Sequence, residues 1–302
     1  MNNPTGLIAI SGCDNVNRIG DVIFVHGLGG DARETWHQGK GNDDNFWPMW
    51  LGRDLPDVGI WSFGYEAEPS AWKGKAMPLF DQASYLLDWL NNRDLGERPL
   101  IFVTHSLGGL LVKEMLRSAQ NFTEKKEILN QTKGIVFLAT PHTGANLANF
   151  IEKFRTLMRI NINVEELKAH APQLRQLNEW YRENVNRLEI DTKVYYETQP
   201  MSGILVVNED SANPGILGVK PIGLPYNHIS IAKPESTDSP VYLGVRKFIK
   251  KKLTQAHPIE LKPKEQSLEK VTIDNRKIGN YFEHNATIYG SVAGRDFTNN
   301  NE

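Results

Sequence analysis

The chain of 302 residues contains a single cysteine, Cys13. That excludes an intrachain disulfide and argues weakly for a reducing compartment. No apolar run reaches the roughly 20 residues that a helix needs to cross a bilayer. The first residues, MNNPTGLIAI, lack the basic start and long apolar core of a secretory signal. Net charge is also nearly missing, because 34 Lys and Arg stand against 36 Asp and Glu, leaving -2. So balanced a chain gives no reason to expect nucleic acid or an anionic membrane as its main partner. These absences point to a soluble, cytoplasmic protein with no integral membrane segment, and they leave transient membrane contact open. What is present is a hydrophobic fraction of 40%, enough for one large α/β domain and a small appendage.

Apolar, β-branched stretches recur along the chain and alternate with amphipathic ones. Leu7–Ile10, Val22–Val25, Val58–Phe63, Leu100–Thr104, Gly134–Ala139, Thr192–Glu197 and Ile204–Val207 read as strands. Trp47-Pro48 opens a short helix toward Leu55. Phe80–Leu90 has Ala83, Leu86, Leu87 and Leu90 on one side, and Val241–Leu253 closes the pattern as a last helix. The order predicts a mostly parallel central sheet with helices on both faces. Helical periodicity in Ala148–Met158 and Val164–Leu188, set between strands, predicts a helical cap over about 145–190. Clustered aromatics between Asp31 and Trp50 read either as a loop folded over a cleft or as core. The main domain is expected over residues 1–256. Residues 257–302 are polar and form a C-terminal extension, suited to a hairpin or an assembly tail but too poor in apolar residues for a core of their own.

The chemistry concentrates at residues 100–117, LIFVTHSLGGLLVKEMLR. A strand runs into Thr104-His105-Ser106-Leu107-Gly108-Gly109, and a helix follows with almost no loop between. A serine on so sharp a turn exposes its hydroxyl, and the first N–H groups of the helix point toward it. Acyl transfer also needs a base, a group that orients it, and donors for the developing oxyanion. Among the eight histidines, His228 lies in a loop shortly before the last helix and can reach the carboxyl ends of a parallel sheet. Asp210, just after the apolar run ending at Val207, is the preferred orienter, with Glu209 as its rival. The oxyanion donors are expected to be the backbone N–H groups of Leu28, in the turn His26-Gly27-Leu28-Gly29-Gly30, and of Leu107. His26 and His142 end strands and read as supports of the same cleft with Gly27. His105 reads as a packing or hydrogen-bonding residue. The glycine turn does not have the GxGxxG spacing of a dinucleotide site, and the proposed chemistry requires neither a metal nor an organic cofactor.

Taken together, HGLGG after a strand, THSLGG at the turn, GIVFLATPHTG, NEDSA and NHISIAKP resemble the α/β-hydrolase superfamily, and within it SERAC-type, PGAP-type and DUF-lipase-like serine hydrolase domains. The resemblance runs from about Asp21 to Leu253. It implies the α/β-hydrolase fold, with the nucleophile on Ser106, the acid on Asp210 and the base on His228. It also implies hydrolysis of lipid or other esters, and it is similar in part to the N-terminal modules of larger bacterial effector-like proteins. The usual G-x-S-x-G has glycine two residues before the serine, where this chain has Thr104.

Two readings of function follow. One is a serine esterase or lipase-like enzyme acting on carboxylic esters, with amide cleavage served by the same residues. The other is an α/β-hydrolase scaffold of weak or no activity, used for binding or signalling, with residues 257–302 mediating self-association or partner contact.

Overall fold

The computed structural model describes residues 5–39, 43–67, 79–142, 144–158 and 171–256. The chain divides into two units, Met1–Ile259 and Glu260–Glu302. The expected C-terminal hairpin or assembly tail falls outside the described residues.

Among the described residues, one sheet of seven strands organises the first unit, in the order β1-β3-β2-β4-β5-β6-β7. The strands are β1 (Gly6–Ser11), β2 (Gly20–Val25), β3 (Val58–Gly64), β4 (Leu100–His105), β5 (Thr132–Leu138), β6 (Asp191–Glu197) and β7 (Ile222–Leu224). Only β1 runs antiparallel, pairing with β3 at the edge; every other pair is parallel. The two central strands β2 and β4 are buried along their whole length. A strand covered on both faces has no reason to alternate, and this explains the unbroken runs VIFV and LIFV.

Helices cover both faces. They are α1 (Trp47–Asp54), α2 (Leu79–Asn91), α3 (Gly108–Ala119), α4 (Lys126–Gln131), α5 (Gly144–Met158), α6 (Ala171–Asn184) and α7 (Pro240–Ala256). In β5, Gly134 lies against Phe248 of α7, whereas Phe137 lies against Tyr181 of α6. Residues three apart in a strand point to opposite faces, so α7 and α6 take opposite sides. On the α7 side, Trp47 and Trp50 of α1 meet the Tyr242 ring, and Arg246 pairs with Asp54. The aromatic cluster of residues 31–50 is mostly core. Trp36, Phe46 and Trp47 are fully buried, and Trp36 and Trp47 set their edges on Phe24 of β2. The cap is present as α5 and α6, and residues 159–170 between them lie outside the described residues.

One strand expected from sequence is absent. Ile204–Val207 forms no strand; Ile204 makes only an isolated bridge to Met201, while Val206 and Val207 are buried as a bend. The place beside β6 goes to Ile222–Leu224, inside the proline- and glycine-rich stretch Asn213–Pro225. Three residues are too few for a periodicity to show, and their pairing with Tyr195–Glu197 is a long-range contact.

Candidate active site

Ser106 follows directly on β4, with φ of 53° in the left-handed region. A non-glycine residue there costs about 1–3 kcal/mol and persists only where its surroundings over-determine it. Here the Ser106 N–H donates to the Leu138 carbonyl at 2.9 Å, extending the β4–β5 ladder through the bend, and α3 starts at Gly108. Two glycines let the segments close on each other. A Cβ at Gly108 would run into the Val25 and His26 carbonyl oxygens, and one at Gly27 would stand 2.6 Å from the Ser106 Cβ. The close approach that glycine two residues before the serine would provide is therefore made from other positions. Thr104 is accommodated within β4, fully buried, and its hydroxyl donates to the Val136 carbonyl at 3.0 Å.

The loop before α7 brings His228 over the serine. Its Nε2 lies 3.1 Å from Ser106 Oγ, and its Nδ1 lies 3.3 Å from Oε1 of Glu197. Serine, histidine and glutamate are all buried. Glu197 Oε1 also accepts the Val207 N–H at 2.5 Å, which fixes the carboxylate in place.

The acid beside His228 is thus Glu197 and not Asp210, a correction to the sequence expectation. Asp210 sits exposed in a helical turn, Glu209–Ala212, that starts at Asn208. Asn208 Oδ1 accepts the Ser211 N–H and hydroxyl, and this cap turns the acidic pair outward. Glu209, the rival, accepts from the Tyr196 hydroxyl at 3.3 Å. Because Ile204–Val207 is not a strand, the carboxyl edge of the sheet is supplied there by the last residue of β6. The available signal was an acid closing an alternating strand, Val194-Tyr195-Tyr196-Glu197, in a sheet whose ligands gather beyond the strands' carboxyl ends.

Leu107 follows the serine in the chain, and Leu28 follows Gly27, the glycine whose added Cβ would meet the Ser106 Cβ. Among the described residues neither backbone N–H is taken up by a hydrogen bond, so both are available to an oxygen at the site. His26 shapes the first of these turns. Its Nε2 accepts the Tyr65 N–H at 3.3 Å, so Nδ1 carries the proton and donates to the Gly27 carbonyl at 2.9 Å. The ring stacks on Tyr65, whose hydroxyl returns a bond to the His26 carbonyl. Burial lowers the His26 pKa to about 4 and keeps the ring neutral. His105 donates from Nε2 to the His228 carbonyl at 2.8 Å; burial first, and then His228, lower its pKa to about 3.

His142 stands apart from this cluster. Its Nδ1 accepts from the Lys113 ammonium at 2.7 Å, and its backbone N–H donates to the Ser211 carbonyl. It supports the wall of the site rather than its reacting atoms. Phe150 and Phe154 of α5 set their rings 5.7 and 5.9 Å from the His228 ring. A cleft of about 360 Å³ has Leu28, Gly29 and His105 in its wall. Among the described residues no three His, Cys, Asp or Glu side chains gather as a metal site would require.

No family model matches the chain. Over 258 residues it is 33% identical to Protein SERAC1 of Bos taurus, covering 78% of this chain and 39% of that protein. It is 36% identical over 255 residues to Protein SERAC1 of Danio rerio, covering 76% and 38%. The chain therefore spans about two fifths of the length of these relatives. Among solved structures, the mature lipase BlEst2 of Bacillus licheniformis superposes with a TM-score of 0.57 at 17% identity, covering 81% of this chain and 99% of that one. The phospholipase PlaB of Legionella pneumophila, in complex with thio-NAD, gives 0.54 at 15% identity, covering 79% and 61%. At those identities the likeness concerns the fold.

Proposed function

As an α/β-hydrolase of the SERAC type, the chain is, we propose, a serine hydrolase that cleaves carboxylic esters, with lipid acyl esters as its substrate class. The observation that carries this reading is the line from Ser106 Oγ through His228 to Glu197, with distances of 3.1 and 3.3 Å. The fold shared with a lipase and a phospholipase supports it, as does the pair of phenylalanines beside the base, an apolar surface suited to an acyl chain.

In the reaction, His228 Nε2 takes the Ser106 proton as Oγ attacks the acyl carbonyl. The carbonyl oxygen becomes an oxyanion facing the Leu28 and Leu107 N–H groups. Glu197 holds the imidazole and stabilises the charge it gains. Collapse of the tetrahedral intermediate breaks the C–O bond, His228 protonates the departing alkoxide, and an acyl-serine remains. Water then attacks the acyl carbon with His228 again as base, releasing the acid and restoring Ser106. His26 and His105 stay neutral and hold the glycine turn and the His228 loop.

A fluorophosphonate probe tests this directly. Covalent labelling of the protein, absent from Ser106→Ala, is expected. Equal labelling of the two proteins, or none of either, overturns the assignment. The second reading, a scaffold without activity, draws on the covered nucleophile: Ser106 is only 1% exposed. It requires an unlabelled wild type.

A further inference from the structure

The Glu197 carboxylate is held through one oxygen. Oε1 meets both the Val207 N–H and His228 Nδ1, whereas Oε2, equally buried, has no partner among the described residues. The aim of the carboxylate at His228 therefore depends on where the Val207 N–H stands. Val207 belongs to the segment that reads as a strand in the sequence but stays out of the sheet, so no ladder fixes it. Among the described residues, 205–207 make two hydrogen bonds, and both are to side chains. The Val207 N–H donates to Glu197, and the Leu205 carbonyl accepts from the Lys153 ammonium of α5 at 2.9 Å.

These two bonds sit on successive peptide groups. The Leu205 carbonyl belongs to the peptide that joins Leu205 to Val206, and the Val207 N–H belongs to the next. Each peptide is a rigid plane, so only φ and ψ of Val206 separate them. Val206 is buried and β-branched, and its side chain is stiff. The chain just before is already closed. Met201 and Ile204 exchange backbone hydrogen bonds at 2.9 Å, with φ of 49° at Ser202 and 79° at Gly203 between them. Two positive φ values are those of a type I′ turn. What sets the Val207 N–H after that turn is the hold on the Leu205 carbonyl.

The helix that supplies Lys153 also reaches the histidine. Phe150 and Phe154 set their rings on His228, and Phe154 lies against Gly29 of the glycine turn as well. Resting on the reading of Ser106 as an acyl-transfer nucleophile, we propose that Lys153 is a positioning residue for the reaction. It fixes the Leu205 carbonyl and, through Val206, the Val207 N–H that aims Glu197 at His228 Nδ1. It touches no reacting atom and acts through the carboxylate. Because Lys153 and the two phenylalanines share α5, the helix that packs on the base also aims its acid.

Hydrogen exchange and steady-state rates on the full chain test this. Lys153→Met keeps the length of the side chain and removes its donors, whereas Lys153→Arg keeps donors. By NMR, the Val207 amide proton should exchange about tenfold faster in Lys153→Met than in wild type, the scale of one hydrogen bond. In Lys153→Arg it should stay near the wild-type rate. On a short-chain ester, Lys153→Met should lower kcat about tenfold with KM within about twofold, and Lys153→Arg should keep most of the rate. In a Glu197→Ala background, Lys153→Met should cost less than about twofold more, since its route runs through that carboxylate. Val207 exchange untouched by Lys153→Met overturns the proposal whether or not the chain hydrolyses esters. So does an equal loss of kcat in both backgrounds, or a raised KM at unchanged kcat, which would put Lys153 on the substrate. Val207 exchange that follows the donor, in a wild type that turns over no ester, keeps the positioning contact and overturns the hydrolase reading instead.

Discussion

His228 and His142 are both fully buried, and each uses Nδ1 for a single charged neighbour. The neighbours have opposite signs. At His228 it is the Glu197 carboxylate, and Nε2 faces Ser106 at 3.1 Å. At His142 it is the Lys113 ammonium, and Nε2 has no partner among the described residues. A carboxylate stabilises a proton arriving on the ring, so the first site can accept one during a reaction. An ammonium opposes it: burial and then Lys113 hold the His142 pKa well below its ordinary value. Among the described residues Lys113 pairs with no carboxylate. It is held by His142, by Asn178 of α6 at 2.7 Å, and by the faces of Phe137 and Tyr181. The same side chain thus lies between a serine and a carboxylate in one cluster. In the other it is a neutral acceptor that joins the nucleophile helix to the cap.

Exchanging the partner should break this contrast most severely at His228. Glu197→Gln replaces the acceptor of His228 Nδ1–H with an amide and is expected to lower kcat about 10³–10⁴-fold. Lys113→Met, at the other cluster, should change kcat by less than about tenfold, since it touches no reacting atom. Steady-state rates on one short-chain ester compare the two. A Lys113→Met enzyme as slow as Glu197→Gln would mean that the clusters act as one.

A smaller loss is expected from the glycine turn. An added methyl in Gly27→Ala would sit 2.6 Å from the Ser106 Cβ and push the Leu28 N–H away from the developing oxyanion. Misplacing one such donor costs on the order of 10²-fold. The loss should fall in kcat, with KM nearly unchanged, because the donor acts on the transition state. An unaltered kcat would remove Leu28 from the oxyanion site.

How far the sequence reveals these arrangements depends on how local each one is. The turn at Ser106 is read from strand, small residues and helix within eighteen positions, and the glycine turn from five. His228 is placed by its position before the last helix. The partner of His228 is not local, because it depends on which strand lies beside β5 and where that strand stops. Reading Ile204–Val207 as a strand carried the acid to Asp210, whereas the strand beside β5 ends at Glu197. Lys113 was equally hidden. It interrupts the apolar side of α3 between Val112 and Glu114, where a lysine ordinarily reads as a solvated position, and only α6 folding over it makes it buried. Thr104 marks a departure from the family pattern, but its outcome depended on the distant Val136 carbonyl.

The buried neutral histidines also affect stability. His26, His105 and His142 all titrate lower in the folded chain than the ordinary value near 6.5. Below that pH the unfolded chain binds protons that the folded one refuses, so stability present above about pH 6.5 is lost as pH falls toward 4. Each such histidine contributes up to about 1.4 kcal/mol per pH unit within that window. Lys113, with its pKa well below the usual lysine value, acts the same way on the alkaline side: stability rises as pH approaches 10.5, where the unfolded lysine also becomes neutral. Lys113→Met should leave Asn178 and His142 without their donor, a cost of about 1–3 kcal/mol at neutral pH. The variant should also lack the alkaline gain. Urea unfolding at pH 5, 7 and 9 measures both, and a gap between the two proteins that does not widen from pH 7 to 9 would show that burial does not lower the Lys113 pKa as described.

The smallest expected effect is at Asp210, and it sharpens the comparison because it separates position along the chain from position in space. Asp210 falls between serine and histidine in the order of an α/β-hydrolase triad, as Glu197 does. It is exposed on a turn capped by Asn208, whereas Glu197 lies 3.3 Å from the His228 ring. Asp210→Asn keeps the size of the side chain and the turn, so kcat and its pH profile should stay within about twofold of wild type, the range of a surface change that touches no reacting group. A loss approaching that of Glu197→Gln would require the turn Glu209–Ala212 to swing inward during turnover and Asp210 to replace Glu197 on Nδ1. The Asp210→Asn, Glu197→Gln double variant distinguishes these cases, since a carboxylate that exchanges would make the two losses strongly non-additive.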